Sequence, residues 1–205
     1  MANYTEPVSV RALVTDSGFT TDTSYDALLS DMINAASRMI DRHVGGWDNY
    51  FASPTATSTR YYDGSGDAEQ KIDPAISVTA LAVAEDGGRS ASDYTSWTVD
   101  TDYYTHPYNK LPIRNLIVES DGDKNGFHRS RKSVKVTGRF GYSSIVPSDV
   151  AMACKIQVSR WFMRGKGAFQ DASAAANVGQ VMYTKELDPD VKNLLWHYVA
   201  ENEGI

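Results

Sequence analysis

Cysteine is almost missing from this 205-residue chain: Cys154 stands alone, which excludes an internal disulfide and predicts a reducing compartment. Long apolar runs are missing too, and nothing approaches the ~18 consecutive apolar residues of a membrane-spanning helix. The opening MANYTEPVSV has no basic region followed by an apolar core, so no signal peptide is expected and the chain reads as soluble and made in a cytoplasm. Histidine is sparse: His43, His106, His128 and His197 occupy separate contexts, with no HExxH spacing and no CxxC partner. No GxSxG elbow occurs. The glycine-rich DGSGD at 63–67 lacks the lysine and hydroxyl residue of a phosphate-binding loop. These absences predict no catalytic residue, no metal site and no cofactor, hence no enzyme.

One stretch imitates a metal loop. In DGDKNG, Asp121, Asp123, Asn125 and Gly126 match the opening of a calcium loop, but its twelfth position, where a bidentate glutamate is needed, is Lys132. A turn at a hairpin tip is the better reading, since Asp-Gly and Asn-Gly are strong turn signals. Cys154 falls on the apolar stripe of a helix and reads as a buried structural thiol rather than a nucleophile.

What is present is charge asymmetry. The net charge is −6, yet residues 1–100 carry fifteen acidic and six basic side chains, whereas 110–166 carry twelve basic and four acidic. An acidic balance argues against general nucleic-acid binding but leaves room for one basic face. Its sharpest part is His128-Arg129-Ser130-Arg131-Lys132, where Arg129, Arg131 and Lys132 are candidates for electrostatic contact with an acidic partner or a DNA backbone.

The best-determined local structure runs from Val134 to Arg164. Val134, Val136, Phe140 and Tyr142 alternate with Lys135, Thr137 and Arg139, the period of a strand with one buried face. Gly138 and Gly141 mark a bulge or close backbone approach. Pro147 stops the strand, Ser148 offers a cap, and Val150, Cys154, Val158 and Trp161/Phe162 then recur at helical spacing over 149–164.

Upstream, a short helix is expected over 8–14 and a long amphipathic one over about 25–44, ended by Gly45-Gly46. Its apolar stripe reads as Tyr25, Leu28, Met32, Ala36, Met39 and Ile40, leaving Arg38, Asp41 and Arg42 outside, with Arg38 and Arg42 as candidate subunit-facing residues. Between 47 and 147, strands are expected at 59–63, 76–84, 94–99, 102–105, 114–119 and 133–142, separated by turn chemistry. Residues 165–187 are rich in Ala, Gly and Ser and read as a flexible linker. Asp188-Pro189-Asp190 then starts a last helix over 188–205, with Val191, Leu194, Leu195, Tyr198 and Val199 on one face. The fold class is therefore α+β: a small helical bundle over 1–164 holding a mainly antiparallel β insertion at about 47–147, then a linker and a C-terminal docking helix.

Taken in order, MINAASRMIDRHVGG, TRYYDGSG, DPAISVTALAVAEDG, WTVDTDYYTHPYNKLP, the 134–164 stretch and LDPDVKNLLWHYV resemble the head–tail connector, or head-completion adaptor, proteins of long-tailed bacteriophages. The resemblance spans nearly the whole chain. It implies a virion neck protein in a homo-oligomeric ring of about twelve copies. Its implied partners are the portal protein, a head-closure or stopper protein on the tail side, and DNA that passes through the channel without sequence recognition; no membrane is involved. With the helix read as a docking arm, Val191, Leu194, Leu195, Trp196 and Tyr198 are the expected portal-docking residues, and deleting Asp188–Ile205 should leave a folded protein that no longer binds portal. Other neck or tail-end proteins, a stopper or a tail terminator, are the alternative in the same class. A different class is a ligand-binding β module that displays Tyr61, Tyr62, Trp97, Tyr103, Tyr104 and Tyr108.

Overall fold

A computed structural model describes residues 3–15, 23–52, 55–169 and 186–203. The chain divides into two compact units: Met1–Phe51 with Val146–Ile205, and Ala52–Ile145. The first is helical and the second is an antiparallel sheet, so the fold is α+β as the sequence predicts.

In the helical unit, α1 (Pro7–Thr15) begins on a proline at its first position, where the missing N–H leaves no bond unmade. Helix α2 (Asp26–His43) ends in a Schellman turn: Gly46 N–H donates to Asp41 O at 2.9 Å, Gly45 N–H donates to Arg42 O at 3.2 Å, and Gly45 takes the left-handed φ of 73°. Helix α3 (Ser148–Phe169) receives α1, α2 and α4 (Pro189–Glu203) on its sides. It runs past Gly165 to Phe169, five residues beyond the expected end; residues 170–185 of the expected linker lie outside the described ones. Ser148 is its first residue rather than its cap, and the Pro147 carbonyl accepts the Ala151 N–H at 3.0 Å.

The buried face of α2 is offset from the expected stripe by one residue. Leu29, Ile33, Ala36 and Ile40 are buried, whereas Leu28 is 47% exposed and Tyr25 lies at the surface. The doublets Leu28-Leu29 and Met32-Ile33 allow either register by spacing alone. Polar chemistry decides it. Ser37 and Asp41 are fully buried on this face, and Arg38 is only 7% exposed, so Arg38 belongs to the interior of its own chain. Tyr4 reaches in from the N-terminal segment, donating its N–H to Ser37 Oγ (3.1 Å) and its hydroxyl to Asp41. Asp41 also accepts the Asn49 N–H at 3.2 Å and sits 3.2 Å from Arg38, whose guanidinium donates to Asn49 Oδ1 at 3.1 Å. Phe51 N–H closes the group on Tyr4 Oη at 3.2 Å. Burial pushes the Asp41 carboxyl and the Tyr4 phenol above their ordinary pKa values, and a hydrogen-bonded polar group of this kind fixes one register where apolar packing alone allows two.

The β unit consists of β1 (Ser58–Tyr62), β2 (Glu69–Val83), β3 (Thr95–Trp97), β4 (Tyr103–His106), β5 (Ile113–Val118) and β6 (Val134–Phe140). Their order is β1-β6-β2-β5-β4, and β3 pairs with β2 near its end, at Leu81–Val83. Strand β6 alternates buried and half-buried residues from Val134 to Phe140 without a break, as its sequence predicts. At Gly138 an added Cβ would lie 2.2 Å from the Ser77 carbonyl of β2, beside the register shift between Val78 and Ala80. Strand β2 starts seven residues before the expected Ile76. Pro74 sits within it at a second irregularity, where pairing passes from β5 to β6, and this is why proline does not end the strand. Strands β5 and β6 are separated by β2, so the DGDKNG segment lies in a long connection and not at a hairpin tip. Leu81, Trp97, Leu116, Phe127, Val134 and Val136 lead this unit's core, with the Trp97 and Phe127 rings stacked at 5.2 Å.

Candidate functional site

Helix α4 begins at a point defined by α3. Asp188 caps it by accepting the Asp190 N–H on Oδ1 at 3.0 Å, as the Asp-Pro-Asp sequence predicts. The Asp188 N–H donates to Gln157 Oε1 at 3.0 Å, and Arg160 bridges the Asp188 and Asp190 carboxylates. At the other end Tyr198 donates to Asp149 (2.9 and 3.0 Å), in the first turn of α3, and its ring meets Phe51 edge-on at 4.8 Å. His197 Nε2 lies 3.6 Å from the same carboxylate.

This seat sorts the five expected docking residues. Val191, Leu195 and Tyr198 are buried within the helical unit, and Leu194 is half-buried. Trp196 is 66% exposed and alone of the five presents most of its side chain outward. Of the two candidate subunit-facing arginines, Arg42 is exposed and Arg38 belongs to the buried group around Asp41.

The basic segment is exposed at Arg129, Arg131 and Lys132, but its backbone is laced to the turn at 63–67. Gly64 N–H donates to Ser130 O at 3.0 Å, Gly66 N–H to Phe127 O at 2.8 Å, and Lys132 N–H to Asp63 Oδ1 at 2.8 Å. Arg129 donates to Ser65 O at 3.5 Å. The three cations are thus carried on an ordered ledge. The spacing of single residues gave no sign of this pairing between two turns far apart in the chain.

The titratable groups expected to be structural are placed as follows. Burial pushes the Cys154 thiol up to about 11, with Ser37 Oγ 3.7 Å away, which disfavours the nucleophilic thiolate. His43 is pulled below its ordinary value by burial, with Lys192 adding to the effect. No group of three or more His, Cys, Asp or Glu able to hold a metal ion occurs among the described residues. Of the aromatic set, Trp97 and Tyr103 are core residues and Tyr62 donates to Asp73 Oδ2 at 2.9 Å, whereas Tyr61 and Tyr108 are exposed and the Tyr104 and Tyr108 rings stack at 5.2 Å. No described helix is long and apolar enough to cross a membrane.

No family model matches the sequence, and no curated protein does. Solved structures do. A chain from the neck of an empty gene transfer agent (GTA) particle, computed with C6 symmetry, matches at a TM-score of 0.51 and 15% identity, over 94% of this chain and 90% of its own. A chain from the virion of a native GTA particle matches at 0.50 and 15%, over 94% and 91%. A chain from the native GTA neck computed with C12 symmetry matches at 0.48 and 16%, over 97% and 94%. The fold of this chain is therefore similar to that of the first two of these chains.

Proposed function

We propose that this chain is a structural, non-enzymatic neck protein of a phage-like particle, located in the virion between the portal and the next ring on the tail side. The observation that carries the reading is the shared fold with a GTA neck chain over nearly the full length of both proteins. That neck was computed with C6 symmetry, which supports a closed ring of identical copies for this chain too. The resemblance set out above narrows the reading to a head–tail adaptor of about twelve copies that binds portal on one side and a head-closure protein on the other.

In this reading α4 is the portal-facing element. Val191, Leu195 and Tyr198 hold it on α3, and Trp196 with the edge of Leu194 is what it offers to a partner. An exposed tryptophan on a helix anchored at both ends is a suitable anchor for a pocket in a larger ring. Arg42 and the Arg129–Arg131–Lys132 ledge are the charged surfaces available to neighbours or to passing DNA.

Electron microscopy of the protein mixed with the portal of its own particle tests the assignment. A ring of this chain seated on the portal is expected, and it should be lost in Trp196→Ala. Particles that contain the chain singly, or lack it, overturn the reading.

A further inference from the structure

The β unit holds a cleft of about 330 Å³ walled by Tyr61 of β1, Gly88, Arg89 and Tyr94 of the β2–β3 connection, and Lys132 and Lys135 at the start of β6. Its cations are positioned by backbone chemistry. Lys132 takes the left-handed φ of 51°; its N–H is held by Asp63 and its carbonyl accepts the Tyr94 hydroxyl at 2.6 Å. Gly88 N–H donates to Arg131 O at 3.3 Å, which ties the opposite wall to the same ledge. The Lys135 ammonium lies 5.5 Å from the Tyr94 ring centroid, and the Tyr61 and Tyr94 rings are 6.1 Å apart. Arg89, Lys132 and Lys135 make no ion pair among the described residues. Asp63 and Asp93 stand at its margin, bonded to the backbone N–H groups of Lys132 and of Arg89 and Ser90, so the three cationic heads remain available to an anionic group that enters the hollow.

A second stretch of the same unit carries the complementary charge. The stretches 98–102 and 119–123 contain Asp100, Asp102, Glu119, Asp121 and Asp123 and no cation. Glu119 N–H donates to Asp102 O at 2.9 Å, and Gly122 N–H to Glu119 O at 3.2 Å, so the two stretches form one rim. Asp102 immediately precedes β4 and Glu119 immediately follows β5, and Asp123 lines a hollow with Glu85, Thr95 and His128.

We propose that the Tyr61–Lys132–Lys135 cleft of one copy receives the acidic 98–102 and 119–123 rim of a second copy of this chain. The proposal deepens the ring reading and rests on it. A head-to-tail contact that closes a ring needs two different patches on one protomer, each matching the other. The β unit supplies two such patches, the cleft and the acidic rim. The aromatic walls add apolar contact, and the opposed charges steer encounter and fix register. A chain of net charge −6 favours this occupant over the phosphates of DNA.

Sedimentation velocity on the full chain, over a concentration series at low salt, tests the contact with two variants, K132E/K135E and E119K/D121K. Wild type is expected to associate, each variant to associate roughly tenfold or more weakly, and an equimolar mixture of the two to recover, because every reversed patch then meets a reversed patch. The neutral variants K132Q/K135Q and E119Q/D121N, matched to wild type in melting temperature, should show the same weakening and guard against a folding defect. Reversed variants that associate like wild type remove this contact and leave the ring reading standing. A wild type that stays monomeric at every concentration overturns the contact, and microscopy with portal then decides the ring reading separately. Binding of a short labelled DNA duplex that K132E/K135E abolishes, with self-association unchanged, assigns the cleft to DNA and also overturns the proposal.

Discussion

Leu195 and Trp196 are neighbours on α4 with opposite fates: the leucine is fully buried against the helical unit and the tryptophan is two-thirds exposed. Leu195→Ala should destabilise the protein by about 2–5 kcal/mol in urea unfolding, since it opens a cavity among groups that cannot collapse. Trp196→Ala should stay within about 0.5 kcal/mol of wild type while weakening capture by the portal ring. Hydrogen-bonded phenols give a second prediction. Burial and the Asp73 carboxylate raise the Tyr62 phenol above its ordinary value of 10.0, and burial does the same for Tyr4. The folded state therefore keeps protons that the unfolded state releases in alkali. Their contribution to stability is complete below about pH 10 and is lost as pH rises from there toward the folded values. Urea unfolding between about pH 9 and pH 11 should show falling stability, with a shallower slope in Tyr62→Phe. Polar residues of this kind are where sequence reading went astray. Arg38 and Asp41 read as a solvated edge because periodicity assigns charge to water, and nothing in α2 itself reveals that Tyr4, Asn49 and Phe51 are their partners.

Among the elements, α4 is part of the fold and not a detachable arm. Removing Asp188–Ile205 takes away Val191, Leu195 and Tyr198, each a core residue, together with the cap held by Gln157. At about 2–5 kcal/mol for each large side chain, the loss rivals the 5–15 kcal/mol that typically holds a domain together. Circular dichroism and limited proteolysis should therefore find the helical unit of that truncation unfolded, where the sequence suggested a folded remnant. The signals for α4 itself were legible: an aspartate cap, a proline at the first position, and apolar residues at helical spacing. What could not be read was which side of the helix is spoken for, because that depends on α3 and Phe51. The sheet shows the same division. Strand β6 declared itself by alternation, whereas β2 hid its first half behind Asp73-Pro74, which marks a change of pairing partner rather than an end.

At the scale of the whole molecule, the expected composition of the fold survives and the expected economy of surfaces changes. The helices and strands fall in the order the sequence gives them, and the chain shares its fold with a GTA neck chain over 94% of its length. In the proposed function docking falls to a smaller set of residues than the apolar pattern implied, because most of the greasy face of α4 is already spent inside the chain. Assembly of the proposed ring would then draw on exposed aromatics and opposed charge more than on unburied helix faces.

The clamp of Gln157, Arg160 and Asp188 at the head of α4 has a consequence for the connection that leads to it. Because the landing place is specified by bonds at its own threshold, the seating of α4 depends on these residues and only weakly on how many precede them, since closure entropy grows only with the logarithm of chain length. Versions of this protein with longer or shorter stretches between the third and fourth helices can therefore arrive at the same berth, leaving that stretch open to be rewritten for other tasks.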